Sequence, residues 1–177
     1  LDIFVAVLDL VLPDAVHGEI VEWIAGRGIP SIVYTGEIDK TLRETFIRAG
    51  VVDYIVKRDQ LAIEQVIAVV EKLRRNTRFS VLAVDDSVSM QRYFKKMLTN
   101  YCFTVHLAGD GKRALEMIHA HPEIRLVITD YTMPEMDGFE LVRTLRKRYD
   151  RGRVAVIGTA GRGNALTATR FLKEGAS

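Results

Sequence analysis

The sequence predicts an α/β protein made of two doubly wound parallel sheets in tandem. Short, continuously apolar segments rich in β-branched residues alternate along the chain with amphipathic segments of helical period. Such apolar runs are typical of strands in a parallel sheet that helices cover on both faces, and right-handed crossovers then give a doubly wound sheet. The same order of elements occurs twice, about 120 residues apart, which is the size of a domain and too long for a solenoid repeat.

Matching residues mark the two copies of this repeat. An aspartate follows an apolar run in each copy and precedes a proline by four residues. A threonine then ends the next β-rich run, and a glycine ends the helix after it. The pairs are Asp9 and Asp130, Thr35 and Thr159, and Gly50 and Gly175. These pairs indicate a duplicated domain, and we expect one domain at residues 1–76 and a second at 77–177.

The hydrophobic periodicity gives the elements of each copy in order. The first copy is expected to contain strands at 3–9, 30–35 and 52–56, and helices at 18–26, 38–49 and 60–75. The second copy is expected to contain strands at 79–84, 102–107, 125–130 and 153–158, and helices at 87–99, 111–120, 138–149 and 164–174. Only three or four residues separate the last helix of the first copy from the next strand, so the linker is short.

Composition narrows the class of protein. The chain has 177 residues, of which 48% are hydrophobic and 27% charged, as in an ordinary globular protein. A net charge of +2 gives no indication of nucleic-acid binding. The single cysteine, Cys102, cannot form an internal disulfide, which suits the cytoplasm, and its aromatic neighbours predict a core position. No apolar run approaches ~18 residues, so no membrane span is expected.

Acidic and hydroxyl side chains are predicted to meet at one edge of the second sheet. Asp85, Asp86, Asp130 and Thr159 all lie at carboxyl ends of strands, where a doubly wound sheet binds its ligand. Three neighbouring carboxylates repel one another, and a hard cation such as Mg²⁺ relieves that repulsion. An aspartate carboxylate can also act as a nucleophile and form an aspartyl phosphate.

The second copy resembles the receiver domain of two-component response regulators, which has a flavodoxin-like fold. The resemblance rests on the Asp85-Asp86 pair, on Asp130 followed by a proline and a glycine, and on Thr159 before an alanine. It implies that Asp130 accepts a phosphoryl group from a histidine kinase or phosphotransfer protein. It further implies that Mg²⁺ binds Asp86 directly, Asp85 mainly through water, Asp130, and the main-chain carbonyl of Thr132. Thr159 would be the switch hydroxyl.

The first copy resembles the same family less completely. It supplies Asp9 as a candidate phospho-acceptor, with Thr35 and Lys57 as phosphoryl contacts and Tyr54 at the usual place of an aromatic switch residue. Lys57 is followed by Arg58, where the family usually has proline. The spacing of the second copy would put the first copy's acidic pair about 36 residues before Leu1, and the second copy's lysine about five residues after Ser177.

Both copies are therefore expected to be incomplete in this sequence. The first would lack its amino-terminal βαβ part, and the second its last strand and helix. An effector would lie outside these residues, and tandem receivers of this kind resemble those found ahead of diguanylate cyclase (GGDEF) domains. The expected partners are a kinase or phosphotransfer protein, a carboxyl-terminal effector and a second copy of the chain.

Two other functions fit the same residues. One is a degenerate tandem scaffold that acts by protein binding alone. The other is a phosphatase of the haloacid dehalogenase type, which needs a second acid two residues after the nucleophile; Val11 and Thr132 occupy those positions and count against it. The histidines His106, His119 and His121 are interpreted as surface residues and not as metal ligands.

Overall fold

The computed structural model describes residues 3–11, 19–36, 40–159 and 165–177, apart from the side chains of 165–168. The chain divides into two compact units. The first comprises Leu1–Asn76 with Asn100–Cys102, and the second comprises Thr77–Thr99 with Phe103–Ser177. Among the described residues, no helix is long and apolar enough to cross a membrane.

The first unit contains a parallel sheet of three strands within the described part of the chain. Its strands are β1 (Ala6–Leu8), β2 (Ser31–Thr35) and β3 (Asp53–Val56), and its helices are α1 (Glu19–Ala25), α2 (Lys40–Ala49) and α3 (Leu61–Asn76). The strand order is β1-β2-β3. Alternate residues of β2 face opposite sides, as the period of a strand requires. Val33 packs in one buried cluster with α1 and α2, and Ile32 packs in another with α3.

Strand β1 is shorter than the predicted 3–9. Ile3 and Phe4 are 51% and 42% exposed and precede the paired segment. The main-chain amide of Ala6 donates to the carbonyl of Pro30 at 2.9 Å, and the regular pairing begins there, with Ala6 opposite Ser31. Proline has no amide hydrogen, so Pro30 can accept a ladder hydrogen bond but cannot donate one. The apolar run alone could not indicate where pairing begins.

The second unit contains a parallel sheet of four strands among its described residues. The strands are β4 (Ser80–Val84), β5 (Thr104–Ala108), β6 (Ile124–Asp130) and β7 (Ala155–Thr159). The helices are α4 (Val88–Asn100), α5 (Gly111–Ala120), α6 (Gly138–Arg146) and α7 (Ala165–Glu174). The strand order β5-β4-β6-β7 means that successive connections leave β4 in opposite directions, as in a doubly wound sheet.

Helices cover both faces of this second sheet, as the apolar strands predict. Strand β4 is fully buried, and its side chains alternate between two clusters. Val81 and Ala83 pack with Phe94 and Leu98 of α4. The opposite face packs residues of three helices, α5, α6 and α7, against Leu82 and Val84.

Two predictions in the second unit are wrong in detail, namely the end of α6 and the position of Cys102. Helix α6 ends at Arg146, three residues before the predicted end, and the chain beyond it tightens, with the Arg148 amide donating to the Leu145 carbonyl at 3.0 Å over three residues instead of four. The Arg146 guanidinium then donates to the carbonyls of Val154 and Gly175 at 2.8 and 2.7 Å, which holds the helix end in place.

Cys102 is not the core residue of a strand that the sequence predicts. It lies in the turn before β5, half-buried, with a φ of 63° in the left-handed region. The Phe103 amide donates to the carbonyl of Leu98 at 3.1 Å, the bond of a Schellman helix end. Glycine usually occupies this position, as Gly50 and Gly175 do at two other helix ends with φ of 105° and 104°. Burial raises the pKa of the Cys102 thiol.

Candidate functional site

The carboxyl ends of β4, β6 and β7 lie side by side in the second sheet. Asp85 directly follows β4, Asp130 is the last residue of β6, and Thr159 is the last residue of β7. Asp130 and Thr159 are register partners in the β6–β7 pairing. This edge includes the point at which the strand order reverses, where open α/β sheets bind their ligands.

Asp85 is held firmly in the turn between β4 and α4. Its side chain is buried, with the whole residue 5% exposed, and one carboxylate oxygen accepts the Ser87 amide at 2.9 Å. The Asp85 amide donates to the Ala108 carbonyl at 3.1 Å, and the Gln91 side-chain amide donates to the Asp85 carbonyl at 2.7 Å. The sequence does not single out Gln91, whose only signal is its position in the first turns of α4.

The acidic side chains of this edge influence one another electrostatically. Burial raises the pKa of the Asp85 carboxyl, the Ser87 amide offsets part of that effect, and the charges of Asp130 and Asp86 raise it further. Asp86 is exposed and Asp130 half-buried. Like charges that raise one another's cost of ionisation form a site that a bound cation stabilises. The oxygen donors suit a hard cation such as Mg²⁺.

The loop after Asp130 turns back sharply against the end of β6. The Gly138 amide, at the start of α6, donates to the carbonyl of Tyr131 at 3.1 Å. A Cβ atom on Gly138 would collide with the main-chain carbonyl oxygen of Asp130. Glycine is therefore required here by close backbone approach, although its φ is not unusual. Thr132 is exposed within this loop, two residues after Asp130.

An ion pair that the sequence did not predict ties the same loop to α5. Lys112 Nζ lies 2.7 Å from a carboxylate oxygen of Glu135, which has a φ of 64°. The Gly111 amide also donates to the Met136 carbonyl at 3.3 Å. The pair joins residues 23 positions apart, and no local pattern in the sequence indicates it.

The hydroxyl of Thr159 points toward the neighbouring strand β6. The hydroxyl donates to the carbonyl of Thr129 at 3.2 Å. Thr159 is half-buried, so its hydroxyl lies at the boundary between the sheet and solvent. A threonine with a single main-chain acceptor at this distance can exchange it for a stronger, charged acceptor at the sheet edge.

The first unit brings its candidate residues together at the carboxyl ends of β1, β2 and β3. Lys57 Nζ forms an ion pair with a carboxylate oxygen of Asp9 and lies 5.0 Å from the centre of the Tyr34 ring. This hydrogen bond from Lys57 is the main reason that the pKa of Asp9 lies below its usual range. The buried Thr35 accepts the Lys57 amide through its carbonyl at 2.7 Å. Tyr54 is 7% exposed and packs in the core of the unit.

A protein family and several known proteins match this chain by sequence. Residues 81–177 match the family described as "Response regulator receiver domain". Two-component response regulator ORR3 of Oryza sativa subsp. indica is 33% identical over 96 residues, which cover 54% of this chain and 73% of that protein. Two-component response regulator ORR11 of the same subspecies is 35% identical over 96 residues, covering 54% of this chain and 65% of that protein.

Solved structures match either nearly the whole chain or somewhat more than half of it. A two-component system response regulator/GGDEF domain protein is 39% identical, with a TM-score of 0.83, and the match covers 98% of this chain and 71% of that one. A CheX-CheY-BeF3-Mg complex from Borrelia burgdorferi is 30% identical, with a TM-score of 0.51, over 56% of this chain and 74% of that one.

Proposed function

Because the chain belongs to the response regulator receiver domain family and is a two-component response regulator, we propose that Asp130 accepts its phosphoryl group in a Mg²⁺-dependent reaction. The observation that carries this proposal is the group of three interacting carboxylates at the carboxyl end of a flavodoxin-like sheet, where Asp85 and Asp86 meet Asp130. The receiver is regulatory, and catalysis would be the role of an attached output domain.

The carboxylates of this edge fit a magnesium ion. Asp85, Asp86 and Asp130 would hold it with the main-chain carbonyl of Thr132, and water would complete the shell. The raised pKa of Asp85, caused first by burial and also by the charges of Asp130 and Asp86, supports this assignment, since a nearby cation favours the ionised form of Asp85. The ion supplies charge neutralisation for the incoming phosphoryl group.

The transfer itself uses one oxygen of the Asp130 carboxylate as the nucleophile. That oxygen forms a bond to phosphorus while the bond from phosphorus to the donor's histidine nitrogen breaks, and the leaving imidazole keeps the bonding electrons and takes up a proton. The attack needs no general base, because a carboxylate nucleophile has no proton to lose.

Thr159 would respond to the product. We assign its hydroxyl the role of donating to a phosphoryl oxygen, in exchange for the Thr129 carbonyl that it now contacts at 3.2 Å. Hydrogen bonds to a charged acceptor are about twice as strong as neutral ones, so the exchange is favourable. Movement of Thr159 would then repack β7 and its neighbours and transmit the signal.

The first unit is proposed as a second receiver in tandem, with Asp9 as its phospho-acceptor. The ion pair of Asp9 with Lys57 and the buried Thr35 at the end of β2 support this role. Lys57 holds Asp9 ionised, which favours its action as a nucleophile. A parallel α/β sheet in each compact unit supports the tandem arrangement.

The proposed partners and output are based on the proteins that this chain resembles. A histidine kinase or phosphotransfer protein is the proposed phosphoryl donor. The response regulator/GGDEF domain protein that matches 98% of this chain supports a GGDEF effector as the proposed output. The receiver would control such an effector by its phosphorylation state and not by chemistry of its own.

Intact-protein mass spectrometry after incubation with acetyl phosphate tests the proposal. We expect a mass increase of one phosphoryl group for each unit that is phosphorylated, and this increase should require Mg²⁺ and be prevented when a chelator is present from the start. The Asp130→Asn variant should lose the part of this increase that belongs to the second unit, and Asp9→Asn should lose the remainder. Asp130→Asn keeps the size of the side chain, so loss of the adduct reports on the nucleophile.

A matched control is Asp110→Asn. Asp110 is a half-buried aspartate that caps α5 by accepting the Arg113 amide at 2.8 Å, and asparagine caps helices about as well. This variant should be phosphorylated like the wild type. If the adduct survives unchanged in the double variant of Asp130 and Asp9, neither aspartate is the acceptor. If no Mg²⁺-dependent adduct forms on the wild type, the tandem acts as a binding scaffold.

A further inference from the structure

Two histidines and a glutamate of the second unit converge away from the carboxylate edge. One potential ligand atom from each of His106, His121 and Glu123 lies within 4.8 Å of the other two. The His106 and His121 ring centres are 4.2 Å apart, and their planes are inclined by 38°. The sequence favours surface positions for these histidines, whereas His106 and His121 are half-buried and lie beside each other. His119, by contrast, is exposed and lies outside the cluster.

Different elements bring the three side chains together. His106 is the middle residue of β5, His121 caps the carboxyl end of α5, and Glu123 directly precedes β6. The group therefore lies near the amino end of β6, and the seven residues of that strand put it about 20 Å from Asp130. It is distinct from the magnesium site.

The backbone that carries His121 and Glu123 is fixed by hydrogen bonds. The His121 amide donates to the Met117 carbonyl at 2.8 Å, and the His121 carbonyl accepts the Ile124 amide at 3.1 Å. The Arg153 guanidinium donates to the carbonyl of Ile124 at 3.0 Å and also to that of Pro122. Only side-chain rotation is needed to adjust the ligand atoms, so the group is already organised for binding.

His106 supplies an independent indication of a missing partner. Its Nε2 atom is buried and has no hydrogen-bond partner among the described residues, although the Glu123 carboxylate lies 3.8 Å away. Buried polar atoms nearly always have a partner, and a lone buried nitrogen has an unsatisfied lone pair or proton. Burial and then the neighbouring His121 lower the pKa of His106, and the Glu123 carboxylate opposes them.

We propose that His106, His121 and Glu123 form a binding site for a divalent transition-metal ion of the Zn²⁺ type. Imidazole nitrogens favour zinc and its neighbours over Mg²⁺, and two histidines with one carboxylate form a known zinc ligand set. Ligands bound at about 2.0–2.2 Å in a tetrahedral shell lie about 3.3–3.6 Å apart, so rotation of the exposed Glu123 and half-exposed His121 side chains is needed to close the site around the ion. Water would occupy the remaining coordination position of the ion.

Calorimetric titration with Zn²⁺ tests this site, using untagged full chain in excess Mg²⁺ to fill the carboxylate edge. Wild type and His119→Gln should bind one Zn²⁺ per chain. His121→Gln and Glu123→Gln, each of which removes one of three ligands at an accessible position, should bind at least tenfold more weakly. Circular dichroism of each variant checks that the fold is retained.

The imidazole resonances provide a second readout that does not depend on variants. Zn²⁺ should shift the Nε2 resonance of His106 in the wild type and leave the His119 ring unchanged. Three results would overturn the proposal: no zinc binding by the wild type, equal loss of affinity in His119→Gln, or zinc binding that disappears in Asp86→Asn but persists in His121→Gln. None of these three outcomes bears on phosphorylation of Asp130.

Discussion

At the scale of single residues, the site depends on a glycine that has no functional group. Gly138 begins α6, and the space where its Cβ would lie is filled by the main-chain carbonyl of Asp130. Gly138 also donates its main-chain amide to the carbonyl of Tyr131. The absence of a side chain therefore determines how closely the loop folds against the proposed phospho-acceptor.

Gly138→Ala should damage both stability and phosphorylation. Since the added methyl group meets backbone rather than a flexible side chain, the strand end or the loop must shift, at a cost of about 1–3 kcal/mol. Denaturant unfolding measures this cost, and the rate of acetyl phosphate labelling should fall at least tenfold. Gly152→Ala is the control, because its new Cβ would approach the Asp150 carboxylate no closer than 3.4 Å. Equal effects of the two substitutions would contradict this account.

Some site residues could be predicted from sequence because topology alone brings them together. Asp85, Asp130 and Thr159 follow or end three parallel strands, and parallel strands share an edge. The Lys112–Glu135 pair could not be predicted, since it depends on the left-handed conformation of Glu135 in an irregular loop. The His106 group was missed for a similar reason: its members are spaced irregularly and converge only through packing of α5 on β5.

At the scale of elements, α6 and α7 are joined by a two-point ion pair. The Arg143 guanidinium donates to both carboxylate oxygens of Glu174, at 3.0 and 2.8 Å. Arg143 lowers the pKa of Glu174 below its usual value. Such a planar, paired contact fixes the orientation of the two helices more firmly than a single contact between flexible side chains.

Glu174→Gln should lower the midpoint of denaturant unfolding at pH 7 by a small amount. A carboxyl whose pKa falls on folding adds stability that is present above its unfolded pKa of 4.5 and is lost as the pH falls through the folded value. The difference between wild type and variant should therefore disappear under acidic conditions. Unfolding curves from pH 7 to pH 3 measure it, and a difference that persists at pH 3 would show that packing, not charge, is responsible.

Element order was predictable, but several element ends were not. Every predicted strand and helix has a counterpart among the described residues, because hydrophobic period is a property of whole segments. Ends depend on particular partners: Pro30 at the start of the β1–β2 pairing, Arg146 at the end of α6, and Cys102 at the end of α4. A cysteine in a left-handed conformation has no signal in the sequence, unlike Gly50 and Gly175.

At the scale of the whole molecule, each unit has its own buried clusters. Leu141 of α6 is fully buried in the larger cluster of the second unit, and Val33 of β2 is fully buried in the first. The cores share no residues among those described. Domains with separate cores can lose stability separately.

Leu141→Ala should therefore weaken the second unit selectively. Truncating a buried leucine costs about 2–5 kcal/mol through lost burial and the cavity left behind. Hydrogen exchange followed by mass spectrometry should show faster exchange across β4 to α7 and little change in β2 and β3. Val33→Ala is the reciprocal control, with the opposite pattern. Equal acceleration in both units after either substitution would mean that they unfold as one cooperative body.

The most direct test of the central claim is the position of the phosphoryl site, read from amide resonances of the chain with Mg²⁺ and beryllofluoride, a phosphoryl mimic. We predict that the largest changes of the second unit fall at Asp85, Asp130 and Thr159, the three strand ends of its acidic edge. These changes should require both reagents and should be absent from Asp130→Asn. Unchanged resonances at this edge in the wild type, or the same changes in Asp130→Asn, would contradict the assignment of Asp130 as the phospho-acceptor.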